Sequence, residues 1–569
     1  MPGFFITNIR NTSDFILEEK NELINEELSH EEFIIKRCVL NSFLDDKVFS
    51  EDDDLIVITD GIIYDSDELT GAESTKDYFF STYKKDSLFF SKLNGHFSGA
   101  FYDKKMKEWL IYTSIFGDRS VFYYFDEDTG NFIVGSELRY VTSYMRKCGI
   151  ERHMDFHGMK CLLDFGYFLD TSTGIKEVKR LFPGDYIRIN SRTGIVTNTY
   201  FIAEYAPVTY NESIAIEKLD KAFSNALKRI SKKNTSDNKI GIADLSGGLD
   251  SRMICYGFNR IGSRNNIAVT YSQSDSSDEA IAKKIASNLG FEWFFLALDS
   301  GNCLKDIDEL TLLNNGTSYY FGITGGKMLL DSINYSKFGI ETTGILGDMH
   351  ESAMIEYNGN TDVNVHEKRF KLSSMTPLDL DYPYSKEAGR FRDNELYWYY
   401  IRGALAGMST FHIRRNYVEP VTPFADKEFL EAYLTIPWNI RCKERVLLKW
   451  MIQKYPDAVK IPYAATGMSV INENKFIVKV IRHIKLRINR IVSDFAGRPT
   501  KNSMNPLDFW ISQNIELKEA LDAYYNNNIS VLDNYDAICN QVESLYGSDK
   551  FVDKGLGLFI ISYVKNYIR

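Results

Sequence analysis

The stretch Lys239–Cys255, KIGIADLSGGLDSRMIC, decides how the rest of the chain is read. An apolar run from Ile240 to Leu245 meets Ser246-Gly247-Gly248, and helical periodicity begins after Asp250 and Ser251. That order describes a buried strand, a tight glycine turn and the first turn of a helix. Glycines let a ligand approach the backbone closely, and the first N–H groups of a helix lack intrahelical acceptors, so such a turn is an anion site. Ser246 and Ser251 add hydroxyls; Asp250 would repel a bare phosphate and makes sense as a ligand for Mg²⁺ carried by it. No Gly-Lys-Ser/Thr follows, which excludes a Walker loop. Ordinary strand-to-helix turns also carry glycines and a capping Ser or Asp. The complete Ser-Gly-Gly-x-Asp-Ser string at the end of an apolar strand points instead to a metal-bound polyphosphate.

Working outward, the segments 266–271, 278–289 and 292–298 read as strand, helix and strand, and a helix is expected from Ser213 to about Ile230 before a polar turn at 231–238. Such alternation predicts a doubly wound parallel sheet with its ligand beyond the carboxyl ends of the strands, where Tyr271 falls. The amino-terminal part is different. Aromatic and β-branched runs at 54–65, 95–103, 108–115, 120–130, 131–138 and 184–201, punctuated by Gly and Asp, predict many short strands, with helical periodicity over 139–164. Two packed sheets with helices outside fit that pattern, giving an α+β first domain over 1–205 and an α/β second domain over 206–569 with a helical C-terminal part. The Pro and Ser/Asn cluster in EYAPVTYNES marks the boundary.

The 569 residues exceed a single core, and 44% apolar and 14% aromatic content argue for packed structure rather than disorder. A net charge of −11 argues against general nucleic-acid binding. Seven scattered cysteines without a Cys-x-x-Cys pair make disulfides and zinc sites unexpected. The start lacks the layout of a signal peptide and no run approaches a membrane span, so a cytoplasmic protein is expected.

The loop string resembles the pyrophosphate loop of the ATP pyrophosphatases, in particular asparagine synthetases and their relatives. Asp60-Gly61-Ile62-Ile63-Tyr64, Gly117-Asp118-Arg119, Ser136-Glu137-Leu138 and Leu181-Phe182-Pro183-Gly184 follow the order of that family's glutaminase domain, a β-sandwich of the N-terminal nucleophile type. The resemblance implies ATP and Mg²⁺ as cofactors, with Leu245, Ser246, Gly247, Gly248, Asp250, Ser251 and Tyr271 holding the nucleotide. Thr343-Gly344-Ile345-Leu346-Gly347-Asp348 is similar to the family's second motif, so Thr343 and Gly344 join the nucleotide site and Asp348 shares the metal with Asp250. Asp278-Glu279 resembles the family's Asp-Glu at the next helix start, although acids capping a helix are the simpler and preferred account of the pair.

The departures are specific. Pro2 stands where the family carries its nucleophilic cysteine, and a secondary amine without thiol or hydroxyl cannot serve that chemistry. Asp60 and Ile62 replace the family's Asn and Glu, so the first domain is expected to be inactive as a glutaminase. Ile345 and Met349 replace the second motif's glutamates, leaving His350 and Glu351 as candidate bases one step on. Val421 replaces an Arg, and the family's catalytic lysine falls at Ala465, with Lys460 the nearest substitute. The resemblance therefore implies an AMP-forming amide ligase acting on a small-molecule, sugar or peptide carboxylate. Its nitrogen would come as ammonia or a substrate amine, as in the β-lactam synthetase and lasso-peptide cyclase relatives that lack the cysteine. The alternative is a nucleotide-binding regulatory or scaffold protein on a degraded synthetase fold. Residues 474–492 carry Lys475, Lys479, Arg482, Lys485, Arg487 and Arg490 around an apolar stripe, which predicts a helix either buried on the domain or docking on an anionic membrane or carrier.

Overall fold

The computed structural model describes residues 2–11, 15–17, 23–65, 71, 74–190, 193–208, 211–319, 324–347, 386–391, 394–441, 445–464, 466–472 and 499–569. Asp348, His350, Glu351, Ala465 and the basic stretch 474–492 lie outside them.

Alternating side chains in the first part build two antiparallel sheets. The strands are β1 (Gly3–Thr7), β2 (Leu23–Ser29), β3 (Ile34–Leu40), β4 (Phe49–Glu51), β5 (Leu55–Ile63), β6 (Gly95–Asp103), β7 (Glu108–Thr113), β8 (Phe122–Phe125), β9 (Phe132–Gly135), β10 (Val178–Arg180), β11 (Asp185–Asn190) and β12 (Gly194–Thr199). One sheet runs β10-β8-β9-β1-β3-β2 and the other β12-β11-β7-β6-β5-β4. Phe4, Ile6, Ile35 and Val134 from the first meet Ile58, Ala100, Trp109, Ile111 and Ile187 from the second, the alternation that a two-sheet interior demands. The outer faces take helices. Phe79, Phe80 and Tyr83 of α1 (Thr75–Tyr83) cover Val57, Phe101 and Tyr112, while α2 (Leu138–Lys147) and α3 (Phe156–Phe165) cover Phe5 and Ile133. The expected helical segment 139–164 is thus two helices, broken around Gly149, which adopts φ +70°.

The second part is organised by a parallel sheet, β13 (Ile240–Asp244), β14 (Asn266–Ser272), β15 (Glu292–Ala297), β16 (Phe338–Thr342) and β17 (Glu419–Val421), in the order β15-β14-β13-β16-β17. The chain winds outward from β13 to β15, then returns to the other side of β13 to lay down β16 and β17, so the switch point lies between β13 and β16. Their carboxyl ends splay apart there, and a crevice forms for a ligand. The helix α4 (Glu212–Ser236) runs further than the expected end near Ile230. The apparent polar turn at 231–236 is helical because its polar groups find partners: Lys233 Nζ meets Asp46 Oδ1 at 2.7 Å, and Asn234 Oδ1 accepts the Ile340 N–H at 2.9 Å. Among the described residues no helix is long and apolar enough to cross a membrane, and the six described cysteines are free thiols.

The two parts share one core. Phe43, Ile62, Tyr64, Phe116 and Phe182 pack in the same cluster as Leu219, Phe223, Phe424 and Trp450. Ions are buried in it as well. Glu419, on the edge strand β17, accepts Lys47 Nζ at 2.6 Å and the Arg119 guanidinium, which also lies 3.4 Å from Asp60. Burial works to raise the Glu419 carboxyl, but the two cations win and hold it below its usual range. Removing one member of such a cluster leaves the others charged and dry, at a cost of about 3–5 kcal/mol. A Glu419→Gln substitution is accordingly expected to lower the urea concentration at which the chain unfolds by an amount corresponding to that cost. A shift below about 0.5 kcal/mol, the scatter of ordinary surface substitutions, would show that the cluster does not hold the two parts together.

His412 sits in the same interface with its ring nitrogens beside Ser120 Oγ and Asn315 Nδ2, each at 3.3 Å. Burial first, and the Arg180 charge second, push its pKa down to about 3, so the folded chain keeps it neutral. The unfolded chain protonates it below its ordinary pKa near 6.5, so stability is lost as pH falls below that value, by about 1.4 kcal/mol per unit. Urea unfolding at pH 7 and pH 5 should show the loss in the native chain and a smaller one in a His412→Gln variant.

Candidate nucleotide site

Gly248 caps α5 (Leu249–Arg260) in extended conformation without a side-chain cap, so the first-turn amides stay available to a ligand. The loop before it is tied internally. Ser251 Oγ accepts the Ser246 N–H at 3.1 Å and lies 2.9 Å from Ser246 Oγ, which in turn accepts the Gly248 N–H at 3.2 Å. Two side chains hold this loop from outside. Asp278, buried in the first turn of α6 (Ser277–Leu289), accepts the Gly247 N–H at 2.8 Å. Ser276 caps that helix, with its side chain accepting the Glu279 N–H at 3.0 Å. Asp278 is therefore a loop anchor as well as a first-turn acid, and Gly247 presents no free N–H to a phosphate. Burial raises the Asp278 carboxyl, against the pull of the Gly247 N–H.

Arg252 is the second anchor, fully buried one turn into α5. Its guanidinium donates to Gly248 O (2.8 Å), Gly247 O (3.0 Å), Ala458 O (3.0 Å), Ile461 O (2.8 Å) and Pro462 O (3.0 Å). Burial pushes its pKa down to about 10, still well above neutrality. Ala464 N–H donates to Gly247 O at 2.9 Å. The segment 458–464, which includes the end of α7 (Pro456–Lys460), is thereby fixed against the loop.

The second motif closes on the first. A Cβ on Gly347 would lie 2.4 Å from Asp250 Cγ, and one on Gly344 would lie 2.8 Å from the Ser251 nitrogen, so both glycines permit contacts that no other residue allows. Leu245, Ser246, Gly248, Asp250, Ser251, Tyr271, Thr343 and Gly344 all line one cavity of about 470 Å³ beyond the carboxyl ends of β13, β14 and β16. Lys460 is not on this wall: its ammonium is exposed and pairs with Asp457 at 2.8 Å. Asp250 with the Ser246 and Ser251 hydroxyls offers hard oxygens that suit Mg²⁺ arriving on a polyphosphate, whose own oxygens add to the shell.

Sequence reading missed a further part of the lining, formed by Trp398, Arg402, Gly403, Gly407, Thr410 and Arg414. Arg402 and Gly403 come from the π-helix Tyr399–Ala406, Thr410 and Arg414 from α8 (Thr410–Arg414), and Trp398 and Gly407 from the turns that flank the π-helix. The available signal was three arginines, Arg402, Arg414 and Arg415, and two glycines in the aromatic run ELYWYYIRGALAGMSTFHIRR. Arg414 is buried, 3.1 Å from Asp244 and in contact with Glu341. Burial holds the Glu341 carboxyl well above its ordinary range, opposed by Arg414 and reinforced by the charge of Asp244.

Two packed antiparallel sheets are thus joined to a parallel sheet that carries a cavity at its switch point. Residues 46–201 match the glutamine amidotransferase domain family, and residues 218–316 match the asparagine synthase family. Together the two matches support a likeness to the asparagine synthetases. Asparagine synthetase 1 (glutamine-hydrolyzing) of Bacillus subtilis strain 168 is 25% identical over 256 residues, 42% of this chain and 39% of that protein, so the match spans well under half of the relative. Two solved structures match over part of the chain: glutamine phosphoribosylpyrophosphate amidotransferase from B. subtilis complexed with ADP and GMP (TM-score 0.22, 10% identity, 46% of this chain and 67% of that one), and U34-tRNA thiolase NcsA from Methanococcus maripaludis (TM-score 0.20, 16% identity, 44% and 77%).

A Gly347→Ala substitution places a methyl against Asp250 and is expected to abolish Mg-ATP binding by calorimetry while far-UV circular dichroism stays unchanged. Binding retained within about threefold would show that the second motif does not shape the site.

Proposed function

We propose that the chain is an AMP-forming amide ligase that has no glutaminase activity of its own. The observation that carries this reading is the convergence of the Ser246–Ser251 loop and the Thr343–Gly347 turn on Asp250 inside one cavity at the sheet's switch point. A carboxylate oxygen of the acceptor would attack the α-phosphorus of ATP, the bond to the bridging oxygen would break, and pyrophosphate would leave. A nitrogen nucleophile would then attack the acyl carbon, the carbon–oxygen bond to AMP would break, and the proton lost from nitrogen would pass to a base or water. Ser246, Ser251 and the α5 amides would hold the departing phosphates, an electrostatic contribution worth about 10²–10³ in rate per donor in comparable sites. Mg²⁺ would neutralise phosphate charge from Asp250 and Asp348.

Two observations support the missing glutaminase activity. Pro2 has no nucleophilic atom beyond its amine, and Asp60, at a position implied for the glutamine pocket, faces Arg119 in the buried cluster with Glu419. Nitrogen would then enter as free ammonia, from a partner protein, or as an amine of the second substrate. The rival reading, a nucleotide-binding scaffold, draws on Ile345 and Val421, which bring no charge to positions where the resemblance implies Glu and Arg.

Pyrophosphate release by the purified chain with Mg-ATP, ammonium and a panel of amino-acid, sugar and peptide carboxylates decides between them. The ligase is expected to release pyrophosphate with one class of acid and to lose that release by at least about 100-fold on Asp250→Ala. ATP binding without release across the panel would favour the scaffold.

A further inference from the structure

The two arginines on the cavity lining are not equally committed. Arg414 lies between Asp244, 3.1 Å away, and Glu341, so its charge is already paired. Asp250 adds a negative charge on the loop side. Arg402 remains. It lines the same cavity, it is partly buried, and its guanidinium makes no hydrogen bond or ion pair with any described residue. It is carried by the π-helix Tyr399–Ala406, a wide turn that displaces side chains from the α-helical register and is frequent at functional sites.

What such a cation serves follows from what the loop lacks. The Ser246–Ser251 loop offers hydroxyls and backbone N–H groups, all neutral, beside a carboxylate. A polyphosphate placed there carries several negative charges, and more develop on the leaving oxygens as the phosphorus–oxygen bond breaks. A guanidinium is planar, stays charged, and matches phosphate oxygens with two parallel donors. Because Arg414 is committed to its two acids and Lys460 is turned to solvent, Arg402 is the cation that the described wall leaves for this purpose.

We propose that Arg402 grips the pyrophosphate portion of the bound nucleotide and stabilises the charge that builds on it as it leaves. The role rests on the ligase reading for its rate effect but not for its binding effect, and the two are measured separately. In calorimetry on the full chain with Mg-pyrophosphate as the ligand, Arg402→Gln is expected to bind at least about tenfold more weakly than the native chain, the loss of a charge-assisted contact. Arg402→Lys should fall between the two. In acid-dependent pyrophosphate release, Arg402→Gln should lower kcat by about 100-fold, and added guanidinium ion at non-denaturing concentration should restore part of it, a rescue that a merely structural arginine would not show. Thermal unfolding of both variants checks that the chain still folds. The proposal is overturned if the native chain does not bind Mg-pyrophosphate, or if Arg402→Gln binds it as the native chain does. Release in the native chain with an indifferent variant would keep the ligase and remove Arg402 from it. Arg402-dependent binding by a chain that releases nothing would keep Arg402 and remove the ligase.

Discussion

Glu419 is the side chain on which both parts of the molecule lean. It stands on the edge strand of the parallel sheet, it is buried, and its two cations come from the antiparallel sandwich, Lys47 before β4 and Arg119 before β8. The strand that carries it is short and pairs on one side alone, Ile340 with Glu419 and Thr342 with Val421. A three-residue edge strand has little ladder to hold it. The ions and the apolar core behind them supply the rest, and β16, which leads into the Thr343–Gly347 turn, is held in place between β13 and that braced edge. The sandwich therefore bears on the nucleotide cavity without contributing a lining residue to it.

A second constraint works from the other side of the sheet. Arg252 donates only to carbonyl oxygens, drawn from the loop and from residues 458–462, and no carboxylate is needed to keep it charged. Carbonyls left in a loop must find donors when buried, and one guanidinium satisfies several of them at once in a fixed plane. The effect is to set the distance between the glycine turn and a segment two hundred residues away, while Asp278 sets the same turn against α6. The first-turn amides of α5 are thus preorganised before any ligand arrives, which is what an anion site needs if binding is not to be offset by ordering the loop.

The legible part of this architecture was the part written in local pattern. The Ile240–Asp250 stretch gave strand, turn and helix because apolar period, glycines and capping chemistry agree there. The alternating runs of the first half gave the sandwich for the same reason. The end of α4 is not legible because Lys233 and Asn234 look like turn residues until their partners are known, and those partners, Asp46 and Ile340, come from the antiparallel part and from strand β16. Asp278 was open between two roles because a carboxylate near a helix start is favourable with or without a distant N–H. The Arg402 wall was missed outright. A π-helix has no period that a 3.6-residue search detects, and nothing in the local sequence says that an aromatic run will fold back over a sheet more than a hundred residues upstream.

Charge is distributed differently at the junction and at the cavity. Asp60 and Glu419 bring acid to the junction, and Arg119 and Lys47 answer it in a dry ionic contact. A buried set of this kind is costly to break. At the cavity, Arg414 is tied to Asp244 and to Glu341 behind it, and the lining adds a further acid, Asp250, and a further cation, Arg402. An acid and a cation on one lining, with neutral donors beside them, suit a ligand that carries metal at one point and exposed phosphate oxygens at another.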